Sequence, residues 1–371
     1  MEYRNRQLRV IKELAEKHLD AIVITHLPNV RYLCGFTGSS GALVMRAKGK
    51  PAFFTDGRYT QQAREQVAGA QVRISQKNAL AAAGEWLVAQ RPKAVGFESD
   101  HMTVAVRSAL GHAAAGLRLK PVTGMVERFR MVKDSAEIAQ MRSAVNLASS
   151  VFEAVLPDIK AGMTEAALAA EIEYMCRRLG AEGMSFDTLI ASGPRSALPH
   201  GVASQTPLPA SGFVIMDFGV ILGGYCSDMT RTVHVGRPDK ASRAMYEAVL
   251  AAQLAGIQAV TPGVKSSEVD YATRKVLANA GLEEYFTHST GHGVGIEIHE
   301  PPGLRKAPRA RTKKVTSKAL PGDALVPGMV VTIEPGVYVP GKGGVRIEDM
   351  VLVTDTGCEV LTPTRKDLIV I

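Results

Sequence analysis

Phe213-Val-Ile-Met-Asp217 is an apolar run that ends on a carboxylate, and Asp228 follows it within Gly224–Thr232. The chain then repeats the device. Met329-Val-Val-Thr-Ile-Glu334 closes a second run on a carboxylate, and Glu348 follows within Gly343–Met350. Short apolar runs closed by a polar residue read as buried strands. Between the two pairs lies His292, inside Gly291-His-Gly-Val-Gly295. Taken singly, an Asp behind a strand is more often a turn cap than a ligand. Four acids and one imidazole in paired positions are instead a donor set for hard divalent ions: oxygen ligands with a single imidazole favour Mn, Co, Zn or Fe(II) over a soft metal.

The sequence around these strands is duplicated. Gly162 and Gly180 bracket one helical stretch and Gly263 and Gly281 another, each pair 101 residues from its counterpart. Met163, Leu168, Met175 and Cys176 register with Val264, Val269, Val276 and Leu277. Each stretch follows a longer helical segment, 134–156 and 241–259. The first of these opens on Asp134 with Glu137 three residues on, a capping box, and its apolar residues recur at helical spacing through Met141, Val145, Ala148, Phe152 and Val155. A period of this length indicates a duplicated half-domain rather than a solenoid. A pseudo-twofold relating the halves would bring the carboxylate strands together at its axis. Carboxylates packed that closely cannot all stay ionised unless a cation neutralises them.

Residues 1 to 125 have a different texture. Short apolar runs (Ala21–Ile24, Ala42–Met45, Ala52–Phe54, Ala94–Phe97) alternate with helix-like stretches (Glu2–His18, Arg58–Val67, Thr103–Ala115), the pattern of a modest α/β domain. It carries no recognisable chemistry. Gly38-Ser-Ser-Gly41 lacks the spacing of a nucleophile elbow, and no phosphate-binding loop occurs. The expected division is therefore an α/β domain over 1–125 and a duplicated α+β domain over 126–371.

Bulk properties agree with a globular protein of two domains: 371 residues, 46% hydrophobic and 22% charged. No run approaches the roughly 20 apolar residues of a membrane span. The N-terminal Met1-Glu-Tyr-Arg-Asn-Arg6 has no apolar stretch behind it and does not read as a signal peptide. Cysteines at 34, 176, 226 and 358 form no close pair, which suggests reduced thiols and a cytoplasmic location. The net charge of +8 traces largely to Arg305, Lys306, Arg309, Arg311, Lys313, Lys314 and Lys318, a stretch without acids. No aromatic residue interleaves these charges as a nucleic-acid stacking site requires, so a solvated insertion is expected rather than a binding surface.

Asp217-Phe-Gly219, Cys226-Ser-Asp-Met-Thr-Arg-Thr232, Thr290-Gly-His-Gly-Val-Gly295, Thr332-Ile-Glu-Pro-Gly336 and Arg346-Ile-Glu-Asp349 together resemble the motif series of the pita-bread metallopeptidases, in the Xaa-Pro aminopeptidase and Xaa-Pro dipeptidase (prolidase) branch. Tyr32-Leu-Cys-Gly-Phe-Thr-Gly38 and Phe54-Thr-Asp-Gly-Arg-Tyr59 resemble that branch's creatinase-type N-terminal domain, so the likeness spans nearly the whole chain. It implies two divalent ions per chain, Mn(II) first, with Co(II) or Zn(II) as alternatives. Asp217 would chelate one ion, His292 and Glu334 the other, and Asp228 and Glu348 would bridge them. A bridging hydroxide would attack the carbonyl before proline, with Glu334 shuttling its proton. His200 and His299 match histidines that contact substrate and tetrahedral intermediate, His288 a further substrate-side histidine, and Arg346 an arginine beside Glu348. The plainer alternative is that His200 and Arg346 only brace the carboxylates. The insertion at 304–324, directly after His299-Glu-Pro-Pro302, departs from the family pattern.

The leading expectation is thus a cytoplasmic, homodimeric metalloaminopeptidase that removes the residue ahead of proline from proline-containing peptides. Ser192-Gly-Pro-Arg-Ser-Ala-Leu-Pro-His200 favours that side of the branch. The alternatives are an Xaa-Pro dipeptidase and, more remotely, a non-catalytic pita-bread protein binding nucleic acid or partners. Such relatives usually lose ligands, whereas all five stand here.

Overall fold

The computed structural model describes residues 2–307 and 323–371, so most of the basic insertion lies outside the described residues. The chain divides into two compact units, Met1–Arg130 and Met131–Ile371. No helix among the described residues is long and apolar enough to cross a membrane.

The first unit is built on a six-stranded mixed sheet: β1 (Ala21–Ile24), β2 (Ala42–Arg46), β3 (Ala52–Asp56), β4 (Gln71–Ser75), β5 (Val95–Glu98) and β6 (Leu119–Val122), in the order β4-β3-β2-β1-β5-β6. Helices α1 (Tyr3–Glu16), α2 (Leu27–Cys34), α3 (Thr60–Gln66), α4 (Ala79–Gln90), α5 (Val104–Ala113) and α6 (Met125–Arg130) complete it. Val23, Val44, Phe54, Leu87 and Leu110 are in its core. The four strands expected from apolar runs are present. The two edge strands were not expected: β4 is a polar, largely exposed segment and β6 contains Pro121, a residue that sheets tolerate at an edge. Helix α2 also escaped notice, because Pro28 reads as a breaker. It occupies the first turn, where the missing N–H costs nothing.

The second unit opens with α7 (Ser135–Val155). Its capping box closes as expected: Asp134 Oδ1 accepts the Glu137 N–H and Glu137 Oε2 accepts the Asp134 N–H, both at 2.9 Å. Helix α8 (Glu165–Arg178) and its counterpart α10 (Ser266–Asn279) begin and end 101 residues apart, and each follows a longer helix, α7 or α9 (Lys240–Ala259). Gly180 and Gly281 follow the ends of α8 and α10 at φ of +102° and +70°, a turn that a side chain would strain.

Each helix pair is followed by a sheet. The first contains β8 (Leu189–Ser192), β9 (Gly212–Phe218), β12 (Met229–Val235) and β20 (Ile369–Val370), beside a small sheet of β7 (Gly183–Met184), β10 (Val220–Leu222) and β11 (Tyr225–Cys226). The second contains β13 (Gly291–Gly293), β14 (Glu300–Leu304), β15 (Val330–Ile333), β18 (Asp349–Val353) and β19 (Cys358–Val360), with β16 (Gly336–Val339) and β17 (Gly343–Arg346) forming a hairpin. In each sheet the two carboxylate strands are antiparallel neighbours, β9 with β12 and β15 with β18. The sheets meet where β12 runs beside residues 346–348. The Glu348 N–H donates to Thr230 O at 3.1 Å, and Thr232 Oγ1 both donates to Arg346 O and accepts from its N–H.

Asp134→Ala removes the α7 cap, and urea denaturation should show a loss of about 1 kcal/mol. An unchanged midpoint would mean that α7 is held by its packing alone.

Candidate metal centre

Alternation along β9 turns Val214, Met216 and Phe218 into the apolar core and leaves Asp217 on the opposite face. Asp228 immediately precedes β12 and Glu348 immediately precedes β18, so the two halves place these carboxylates equivalently. Glu334 follows the last residue of β15. Asp217, Asp228 and Glu348 are all below a tenth exposed. A donor atom of Asp228, one of His292 and one of Glu348 lie within 4.8 Å of one another. The nine residues singled out by sequence, Asp217, Asp228, His292, Glu334, Glu348, His200, His288, His299 and Arg346, all line one cleft of about 480 Å³.

The donor set calls for protons or a cation. His292 Nδ1 lies 3.0 Å from Gly293 O and so carries the proton. That turns the lone pair of Nε2 toward Asp228 Oδ2 at 3.4 Å and Glu334 Oε1 at 3.6 Å. Burial holds this imidazole down to about 4, so at neutral pH its Nε2 offers a lone pair. With the carboxylates ionised, three acceptors therefore face one another with no donor between them. Asp217 adds a buried Oδ1 without a hydrogen-bond partner. Burial pushes Glu334 up to about 8, with the Asp217 charge adding to it against Arg346. It likewise raises Asp228 well above the usual carboxylate range, aided by the charges of Asp217 and Glu334. Glu348 is raised by burial and by Asp228, Glu334 and Asp217. Either these acids hold protons or a hard divalent ion replaces them, and the second is what an oxygen-rich set with one imidazole fits.

One guanidinium ties the wall of the cleft together. Arg346 Nη2 donates to Asp217 Oδ2 at 2.5 Å, Nε to Thr230 Oγ1 at 3.1 Å, and Nη1 to Tyr338 Oη at 2.7 Å and Pro199 O at 3.0 Å. Thr230 Oγ1 in turn donates to Glu348 Oε2 at 2.7 Å. The Tyr338 hydroxyl, pushed up to about 12 by burial, lies 2.8 Å from His288 Nε2, while His288 Nδ1 lies 2.8 Å from Ser289 O. Both ring nitrogens of His288 thus have protein partners. His200 and His299 are the exposed imidazoles of the cleft. Sequence reasoning missed Tyr338, and also Phe186, Asp187 and Ile298 at the cleft. The other histidines lie elsewhere: His234 Nδ1 faces Gly236 O, and His26 stacks on His101 at 3.6 Å.

Residues 139–355 match the model of metallopeptidase family M24, and residues 6–132 match the creatinase/prolidase N-terminal domain. The chain belongs to metallopeptidase family M24. A Pyrococcus horikoshii protein named an Xaa-Pro dipeptidase is 34% identical over 100% of both chains. Among solved structures, an Xaa-Pro dipeptidase from Bacillus anthracis superposes with a TM-score of 0.92 at 38% identity, covering 100% of both chains. An X-Pro aminopeptidase from Thermotoga maritima superposes with a TM-score of 0.86 at 32% identity, covering 95% of this chain and 98% of its own. The pita-bread fold and creatinase-type N-terminal domain expected from the motifs are the family's.

Because the native state raises Asp228, Glu334 and Glu348, it retains protons that the unfolded chain has released. Metal-free protein should therefore lose stability as pH rises from the usual carboxylate range, near 4.5, through about 8. Divalent metal should stabilise it increasingly over the same interval, since binding needs the deprotonated acids. Melting curves of stripped protein with and without Mn(II) test this; a metal-free Tm that climbs through the window would contradict it.

Proposed function

We propose that this family M24 peptidase is an Xaa-Pro dipeptidase, hydrolysing the bond between the first residue and a following proline. The observation that carries the reading is the convergence of nine acid, imidazole and guanidinium side chains on one cleft. The names of the similar Pyrococcus and Bacillus proteins supply the proline preference and favour the dipeptide over a longer substrate. The similar Thermotoga structure supports the second reading, an Xaa-Pro aminopeptidase, which the sequence around His200 had favoured.

In this reading Asp217, Asp228, His292, Glu334 and Glu348 hold two divalent ions, Mn(II) before Co(II) or Zn(II). Such ions, when bound, acidify water and polarise the substrate carbonyl. The chain's own groups do the rest. Glu334, which follows β15 at the cleft, takes a proton from the attacking water and returns it to the leaving proline nitrogen. His200 and His299, exposed in the cleft, donate to the peptide carbonyl as charge develops on its oxygen. Arg346 fixes Asp217 by a charged bond and Glu348 through Thr230, so the carboxylates meet substrate without rearrangement.

Mass spectrometry of metal-stripped protein, with and without Mn(II), tests the reading on an Xaa-Pro dipeptide, an Xaa-Pro-Yaa-Zaa peptide and a matched Xaa-Ala peptide. Mn-dependent cleavage of the dipeptide with little attack on the others is expected. Release of the first residue from the longer proline peptide would make the protein an aminopeptidase. No cleavage with Mn, Co or Zn would end the proline-peptidase proposal.

A further inference from the structure

Arg231 is 1% exposed and lies three residues beyond Asp228, on β12. A guanidinium carries five N–H donors, and here every one has an acceptor. Nε donates to Arg365 O at 3.0 Å, Nη1 to Thr230 O at 2.9 Å and Glu348 O at 2.6 Å, and Nη2 to Asp349 Oδ1 and Thr364 O, both at 2.7 Å. The acceptors belong to three segments: the strand behind Asp228, the residues at Glu348 and the C-terminal segment. The Asp349 carboxylate is itself immobilised, its Oδ2 accepting from Gln253 Nε2 at 2.8 Å and Lys366 Nζ at 2.7 Å.

The geometry points to Arg231 as a positioning residue that sets the distance between Asp228 and Glu348, and through it the affinity of the metal centre. The inference rests on the proposal that these two carboxylates hold metal. Its basis is that the two halves are stitched twice at this point. Thr230 O accepts from both the Glu348 N–H and Arg231 Nη1, and Glu348 is held through its N–H, its carbonyl and its side chain. A side chain that only tied down the C-terminal segment would need the Thr364 and Arg365 carbonyls. It would gain nothing from Glu348 O. Lysine keeps the charge but has three donors on a single nitrogen, so it cannot reach all three segments in this geometry.

The test compares full-length, metal-stripped wild type, Arg231→Lys and Asp349→Asn, with folding verified by circular dichroism. Mn(II) is titrated by calorimetry and Co(II) by its visible absorption. Arg231→Lys should bind metal about 10–100-fold more weakly, as loss of the groups that orient ligands does. Asp349→Asn keeps one acceptor oxygen and turns the other into a donor, so it can serve Arg231 Nη2 or the Gln253 and Lys366 donors but not both. The weakened network should bind metal with intermediate affinity. A folded Arg231→Lys protein with wild-type affinity would overturn the inference while leaving the peptidase reading intact. If Arg231→Lys does not fold, wild-type affinity in Asp349→Asn overturns it instead. A wild-type chain that binds neither ion would overturn the metal reading and this inference with it.

Discussion

Four carboxylates brought together below the surface are the constraint on which the second unit is organised. Burying one unpaired charge is costly, and burying several of one sign is more so. The chain answers with a guanidinium, a threonine relay and a donor set suited to divalent cations. Arg346 neutralises Asp217, Thr230 satisfies one oxygen of Glu348, and His292 turns a bare nitrogen toward Asp228 and Glu334. None of these groups would be worth its burial elsewhere. Together they make a site that is electrostatically incomplete until it holds cations.

Duplication explains how a single chain reaches this arrangement. Two helix pairs in register bring two carboxylate strand pairs to one seam, and Asp228 and Glu348 occupy the same place before their strands. The halves then diverge. The second alone contributes the imidazole His292 and the guanidinium Arg346, and Arg346 reaches across to an acid of the first half. A near-symmetrical scaffold therefore presents an asymmetrical donor set.

Much of this was legible in the sequence because it depends on local pattern. Asp217 and Glu334 are visible as acids that end apolar runs, Asp134 and Glu137 as a cap, and the four glycines as the frame of the repeat. What stayed hidden depends on tertiary neighbours. Tyr338 looks like an ordinary strand aromatic until β16 and β17 fold it against Arg346 and His288. Arg231 is one of 44 basic residues, and its burial and its five bonds to three segments appear only in the fold. The bonds from His288 to Ser289 O and the Tyr338 hydroxyl are likewise invisible in its motif. Strand β4 has too little apolar pattern to be seen, since an edge strand is defined by its neighbour.

The cleft separates chemistry from selection. The buried acids and Arg346, whose guanidinium is bonded to Asp217, line it, and in the proposed reading these cut the peptide bond. Phe186, Asp187, Ile298 and the exposed His200 and His299 also line it. An exopeptidase must recognise a free amino terminus, and a dipeptidase must also accept a carboxylate one residue beyond the scissile bond. Arg346 already engages Asp217, Thr230, Tyr338 and Pro199, which leaves at most one of its five N–H groups for such a carboxylate. Arg346 alone therefore does not set the discrimination between a dipeptide and a longer peptide, and proteins of one family can share these acids while differing in the length of peptide they accept.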